Sequence, residues 1–255
     1  MSPFIIENQI FEINYTYLFL VFILGTIAGS FSHAFADGCI NNKKIFRRST
    51  CNHCNQSVSW FHLIPIFSFF FLKGKCIYCK KDIDIDTLLF ELFFGSIFMI
   101  YFIYLDVWEF FIFGLLSIFL GVIFETDRKK MFIDIFSLFV IIIISLLYTF
   151  WQLSDYRIII EKIFLFSFGW LMIFLISYSY FMIKGIHGFG SGDKWLLATI
   201  STMFSYQEVI FIFLFSCIIG SIIGISIIIY KKSLTNIKLP FGSFICFVSM
   251  ICPLL

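Results

Sequence analysis

The chain has 255 residues, of which 60% are hydrophobic, 22% aromatic and only 13% charged, with a formal net charge of +2. Its mean hydropathy is +0.99. Soluble domains are close to half apolar and a quarter charged, so this composition excludes a water-soluble fold, a disordered chain, a collagen-like repeat and a nucleic-acid-binding tail. With 39 phenylalanines to hide, most of the chain requires lipid as its solvent.

A spanning helix needs about 20 mainly apolar residues. Read in order, eight segments qualify: 15–36, 86–105, 107–125, 131–151, 158–183, 193–206, 208–230 and 239–255. The sixth and eighth are short, and the turns at Asp106 and Tyr206–Glu208 are tight, which leaves seven spans as the alternative. Sixteen of the eighteen Lys and Arg residues fall on one side of this arrangement; only Arg157 and Lys162 fall on the other. The positive-inside rule makes the basic side cytosolic and puts both termini outside. The first fourteen residues hold Glu7 and Glu12 and no Lys or Arg. That is the reverse of a signal-peptide start, so the first span is expected to stay as an anchor.

The one long hydrophilic stretch, 37–87, follows the first span and carries Cys51-Asn-His-Cys54 and Cys76-Ile-Tyr-Cys79, with 21 residues between the pairs. Two such knuckles offer four thiolates to a tetrahedral ion, zinc above all. A lobe of this size cannot bury enough apolar surface to stand alone, so a metal staple has a physical purpose. A reducing cytosol argues against disulfides. Cys217, Cys246 and Cys252 lie in apolar spans and read as small hydrophobes. Phe61–Leu72 is too short to span and is expected along the membrane interface, with Trp60 at headgroup depth.

Acidic residues crowd the same boundary: Asp82, Asp84, Asp86, Glu91, Glu125, Asp127, Asp134 and Asp193. Asp127 closes the third span ahead of Arg128-Lys129-Lys130, and Asp193 follows the glycine-rich Gly188-Phe-Gly-Ser-Gly192. Two carboxylates sharing a site retain one proton between them, which supplies one acid and one base able to direct water at a peptide carbonyl. Periodicity does not select the pair, and Glu125 and Asp134 compete with Asp127. An aspartate at a helix end is also commonly an N-cap or a solvated charge.

Five segments together resemble the type IV prepilin peptidases, membrane aspartyl proteases of the GxGD class. They are GTIAGSF (25–31), SWFHLIPIFSFFFLKGKCIYCKKDI through ELFFG (59–95), TDRKKMFID (126–134), GFGSGDKWLLA (188–198) and KLPFGSF (238–244). The resemblance implies an all-α polytopic protein of about eight transmembrane helices, with a small cytosolic tetracysteine lobe between the first two. It divides the chain into an anchor helix (1–36), the lobe (37–87) and a peptidase domain (88–255). It implies Asp127 and Asp193 as the catalytic pair, with Gly190, Gly192 and Lys194 in the active-site loop, and Cys51, Cys54, Cys76 and Cys79 around zinc. It further implies prepilin or pseudopilin substrates, a bacterial inner-membrane location, cleavage at the cytosolic face, and N-methylation of the new terminus from S-adenosylmethionine. No nucleic acid is expected as a partner. Trp195 stands where the family carries Lys, Asp134 where it carries Pro, and Ser243 where it carries Pro; Ser32-His33 and Ala36-Asp37-Gly38 replace its Asn and Arg after GSF. Two other readings use the same features: a methyltransferase centred on the lobe, and a non-catalytic zinc-lobe assembly factor. A transporter fits poorly, because midplane positions are almost uniformly apolar.

Overall fold

The computed structural model describes residues 15–41, 54, 56, 57, 65–82, 85–152, 156–185, 188–231 and 238–254. Among these the regular structure is helical: α1 (Tyr15–Ile40), α2 (Phe67–Phe71), α3 (Ile85–Tyr104), α4 (Val107–Lys130), α5 (Ile135–Gln152), α6 (Tyr156–Lys184), α7 (Ser191–Ser201), α8 (Tyr206–Lys231) and α9 (Phe241–Ile251). Lys75 and Asp82 form an isolated antiparallel bridge.

Five of these helices, not eight, are long and apolar enough to cross a membrane: α1, α3, α4, α6 from Ile159, and α8 to Tyr230. The α5 segment Ile135–Trp151 is a shorter apolar helix. At 11 residues each, α7 and α9 rise about 16 Å, half the roughly 30 Å of a hydrocarbon core. Hydropathy reads a short, largely packed helix as it reads one that crosses lipid, so the described helices support five of the eight expected spans. Leu196 to Ser201 are buried without a break in α7, as are Gly242 to Cys246 in α9. The two short helices are central posts. α4 and α8 pack on α9, and α5, α6, α8 and α9 pack on α7.

Local chemistry sets the ends. α7 stops at a turn in which Met203 N–H returns to the Ile200 carbonyl at 2.9 Å. α8 then opens with a capping box: Ser205 N–H donates to Glu208 Oε2 at 2.7 Å, and Glu208 N–H lies 3.5 Å from Ser205 Oγ. α4 ends at Met131, which takes a left-handed conformation (φ 55°) and returns its N–H to the Asp127 carbonyl. The Tyr101 hydroxyl donates to the Met250 carbonyl, joining α3 to the far end of α9.

α1 and α3 pack closely through small residues. A Cβ on Gly25 would lie 2.5 Å from the Phe94 carbonyl oxygen, and one on Gly29 would lie 2.8 Å from Phe94 Cβ. The four-residue spacing of these glycines puts both on one helix face, the arrangement that lets two helix backbones approach in lipid. Gly25→Leu should therefore push α1 off α3 and lower stability by about 1–3 kcal/mol, read as a lower melting temperature in detergent. Leu24→Ile, on the exposed face of the same helix, should leave the melting temperature unchanged.

Candidate active site

Asp127 lies in the last turn of α4 and Asp193 in the first turn of α7, and both are buried, 5% and 8% exposed. Each is fixed by a helix that begins beside it. Gly190, the N-cap of α7, donates its N–H to Asp193 Oδ2 at 3.0 Å. Ser243, the third residue of α9, donates its N–H to Asp127 Oδ2 at 2.7 Å, with its Oγ 3.1 Å from the same oxygen. The first N–H groups of a helix have no intrahelical partner and favour negative charge, so both carboxylates are natural acceptors.

Three helices meet at this point. A Cβ on Gly242 of α9 would lie 3.0 Å from Asp127 Oδ2 and 3.3 Å from Leu196 Cδ2 of α7. Phe189, in the loop before α7, stacks edge-on against Phe241 at the start of α9 with centroids 4.8 Å apart. Ile133, in the loop after α4, packs where a side chain on Gly192 would stand, 3.0 Å from that Cβ position. The Lys194 Nζ lies 5.5 Å from the centre of the Phe174 ring. Burial, and then the charge of Asp127 nearby, push the Asp193 carboxyl up to about 6 against the single N–H it receives.

The two competitors of Asp127 are engaged elsewhere. Glu125, its side chain 1% exposed, accepts both Nε and Nη2 of Arg128 at 2.9 Å, and pairs with Lys129 Nζ at 2.8 Å and His33 Nε2 at 3.4 Å. Arg128 also reaches Asp86 at 2.7 Å. Asp134 accepts the N–H and hydroxyl of Ser137 at 2.8 and 2.7 Å, at the start of α5. The i+3 and i+4 spacing of Arg128 and Lys129 from Glu125 was a sequence signal for the first engagement. The role of Ser243 had none beyond its place in the KLPFGSF motif.

Cys54, Cys76 and Cys79 bring their sulfurs within 4.8 Å of one another. Zn–S bonds of about 2.3 Å put tetrahedral sulfurs roughly 3.8 Å apart, so the three thiols fit three corners of such a site. Cys51, expected as the fourth ligand, and Trp60 lie outside the described residues. The second knuckle is shaped by Lys80 in a left-handed conformation (φ 56°), with Lys80 N–H donating to the Cys76 carbonyl and Cys76 N–H to the Lys81 carbonyl, each at 2.9 Å. Glu91 of α3 anchors the preceding segment by accepting Ile66 N–H at 2.7 Å. A bound metal would supply a cross-link and no chemistry of its own.

A cavity of about 250 Å³ lies between α3, α4 and α9, lined by phenylalanines including Phe90, Phe93, Phe124 and Phe247, with Asp86, Glu125 and Arg128 at its edge. Those charged groups are already joined to one another. The cavity therefore does not suit the ammonium and carboxylate of S-adenosylmethionine.

Comparison with known proteins gives two family matches. Residues 23–105 match the bacterial peptidase A24 N-terminal domain, and residues 114–225 match the type IV leader peptidase family. The chain is similar to a prepilin leader peptidase/N-methyltransferase of Vibrio cholerae serotype O1, with 30% identity over 230 residues, 82% of this chain and 86% of that one. The protein of that name from Aeromonas hydrophila is 26% identical over 209 residues, 80% of this chain and 70% of its own. That from Bacillus subtilis is 40% identical over 70 residues, 26% and 27% of the two chains. No solved structure matches significantly.

Purified protein should carry about one zinc ion per chain, and Cys76→Ser should lose it, as read by elemental analysis. Full zinc occupancy in that variant would remove Cys76 from the ligand set.

Proposed function

The chain belongs to the type IV leader peptidase family, a family of peptidases, and from that premise we propose that Asp127 and Asp193 are the catalytic pair of a membrane aspartyl endopeptidase. Its substrates are type IV prepilins or pseudopilins, and it works at the cytosolic face of a bacterial inner membrane. The observation that carries this reading is the burial of the two carboxylates at one meeting point of three helices, where the charge of one bears on the other. Two such groups hold one proton in common, so one takes a proton from water while the other gives a proton to the peptide carbonyl.

Topology supports the choice of substrate. On the eight-segment arrangement read from the sequence, sixteen of eighteen basic residues share a side with the two aspartates, which supports a cytosolic site. A substrate with a basic leader keeps the leader in the cytosol and its apolar helix in lipid, and its scissile bond then lies at the depth of Asp127 and Asp193. The stretch 37–87 acts as a metal-stapled lobe beside the peptidase helices 88–255, with Cys51 completing the set of Cys54, Cys76 and Cys79, and Gly190, Gly192 and Lys194 belong to the loop that presents Asp193. The names of the relatives also carry N-methyltransferase, and we extend that second activity to the new N-terminus of the product, with S-adenosylmethionine as donor. An added methyl mass on the cleaved product reads it.

Asp127→Asn and Asp193→Asn should each reduce cleavage of a model prepilin by about 10²–10⁴-fold while leaving circular dichroism and melting temperature intact. Cleavage at the wild-type rate by either variant removes that residue from the pair. In the wild type, kcat/KM should fall on the alkaline side, because a carboxyl that must be protonated ionises there. With Asp193 pushed up to about 6, that limb should lie near pH 6 rather than near the 3.9 of an ordinary aspartate. A profile still rising through pH 8 would contradict a shared proton.

A further inference from the structure

Given the pairing of Asp127 with Asp193 on which it rests, we propose that Ser243 is a positioning residue that keeps Asp127 ionised and so leaves the shared proton on Asp193. The two carboxylates are unequally supplied with donors. Among the described residues Asp193 receives one N–H, from Gly190 at 3.0 Å. Asp127 Oδ2 receives the Ser243 N–H at 2.7 Å and has the Ser243 hydroxyl at 3.1 Å, at the amino end of an 11-residue helix. Donors and a helix amino end both favour the charged form of a carboxylate.

Ser243 is itself held in place. Its Oγ also lies 2.9 Å from the Phe124 carbonyl, one turn before Asp127 on α4, so the one hydroxyl proton is shared between two acceptors and the N–H is the undivided donor to Asp127. Few other titratable groups face Asp127. Asp193 does so from α7, and Cys246 of α9 lies within electrostatic reach of both aspartates. On α4 itself, Glu125, Arg128 and Lys129 join His33 and Asp37 of α1 and Asp86 of α3 in a separate ionic cluster. Glu91 of α3 is engaged with Ile66, and Asp134, before α5, with Ser137. Among the described residues no cation pairs with Asp127, so the donors from α9 are what its charge depends on.

The assignment gives each carboxylate one task. Asp127 takes a proton from water as the water oxygen bonds to the scissile carbonyl carbon, and Asp193 gives its proton to the carbonyl oxygen. When the C–N bond breaks, the leaving amine takes the proton from Asp127. Asp193 recovers its own from the diol hydroxyl, and the pair is restored.

The test is the pH profile of kcat/KM for full-length, zinc-loaded protein in lipid nanodiscs, with a model prepilin, for wild type and three variants. Ser243→Ala removes the hydroxyl, Ser243→Pro removes the hydroxyl and the N–H, and Ser243→Thr keeps both. Loss of donors to a carboxylate should move the acid limb to higher pH, by about half a unit for Ala and about one unit for Pro. Ser243→Thr should return the wild-type limb. Proline is tolerated in the first turn of a helix, where the missing N–H has no intrahelical partner. If Ser243→Pro fails to fold, Ser243→Ala decides. An acid limb unmoved in every folded variant overturns the proposal, even where overall activity falls. Wild-type cleavage by Asp127→Asn would instead overturn the catalytic pair itself.

Discussion

The first N–H groups of a helix have no acceptor within the helix itself. α7 and α9 both begin in this way, and aspartates answer both. Gly190 at the start of α7 donates to Asp193, and Ser243 in the first turn of α9 donates to Asp127. Burying two carboxylates is costly, and the N–H groups at the two helix starts offset part of that cost. The shortness of the two helices thus puts a pair of acids inside the bundle, within reach of each other's charge.

α4 carries carboxylates of two kinds only two residues apart. Two helical residues turn through about 200°, so Glu125 and Asp127 look in nearly opposite directions. Glu125 faces α1 and α3, where His33, Arg128 and Lys129 saturate it. A carboxylate paired with both Arg128 and Lys129 is held as an anion by its cations and is a poor proton acceptor. Asp127 faces α9 and α7, where its partners are neutral donors and another acid. The ionic cluster pins the ends of α1, α3 and α4 together, and the opposite face of α4 carries Asp127 toward α9.

The rest of the fold holds that meeting point in place. Gly25 and Gly29 let α1 lie against α3 at backbone distance, and Glu91 of α3 holds Ile66 in the segment before the second cysteine knuckle. The cysteine lobe is thereby tied to the bundle at the same end as Asp86 and Arg128, the end where α4 finishes. Rigidity matters here because proton transfer between a water, two carboxylates and a peptide requires hydrogen-bond distances to be kept.

Much of this was legible in the amino-acid order alone. Composition settles the solvent, the CxxC spacing marks a set of metal-ligand thiols, and the crowd of acids beside basic residues marks one boundary as the chemical one. Each of these is a property of residues near one another along the chain. The number of spanning helices was not legible, since hydropathy reads a short helix packed largely within the protein, such as α9, as it reads a span. Nor did periodicity choose among Glu125, Asp127 and Asp134, because it gives the face a residue occupies on its helix and not which other helix ends there. Ser243 shows the difference most sharply. In sequence it is a serine in place of a proline, far along the chain from any acid. Only the folded chain brings its N–H to Asp127, because a hydrogen bond depends on distance and direction in space.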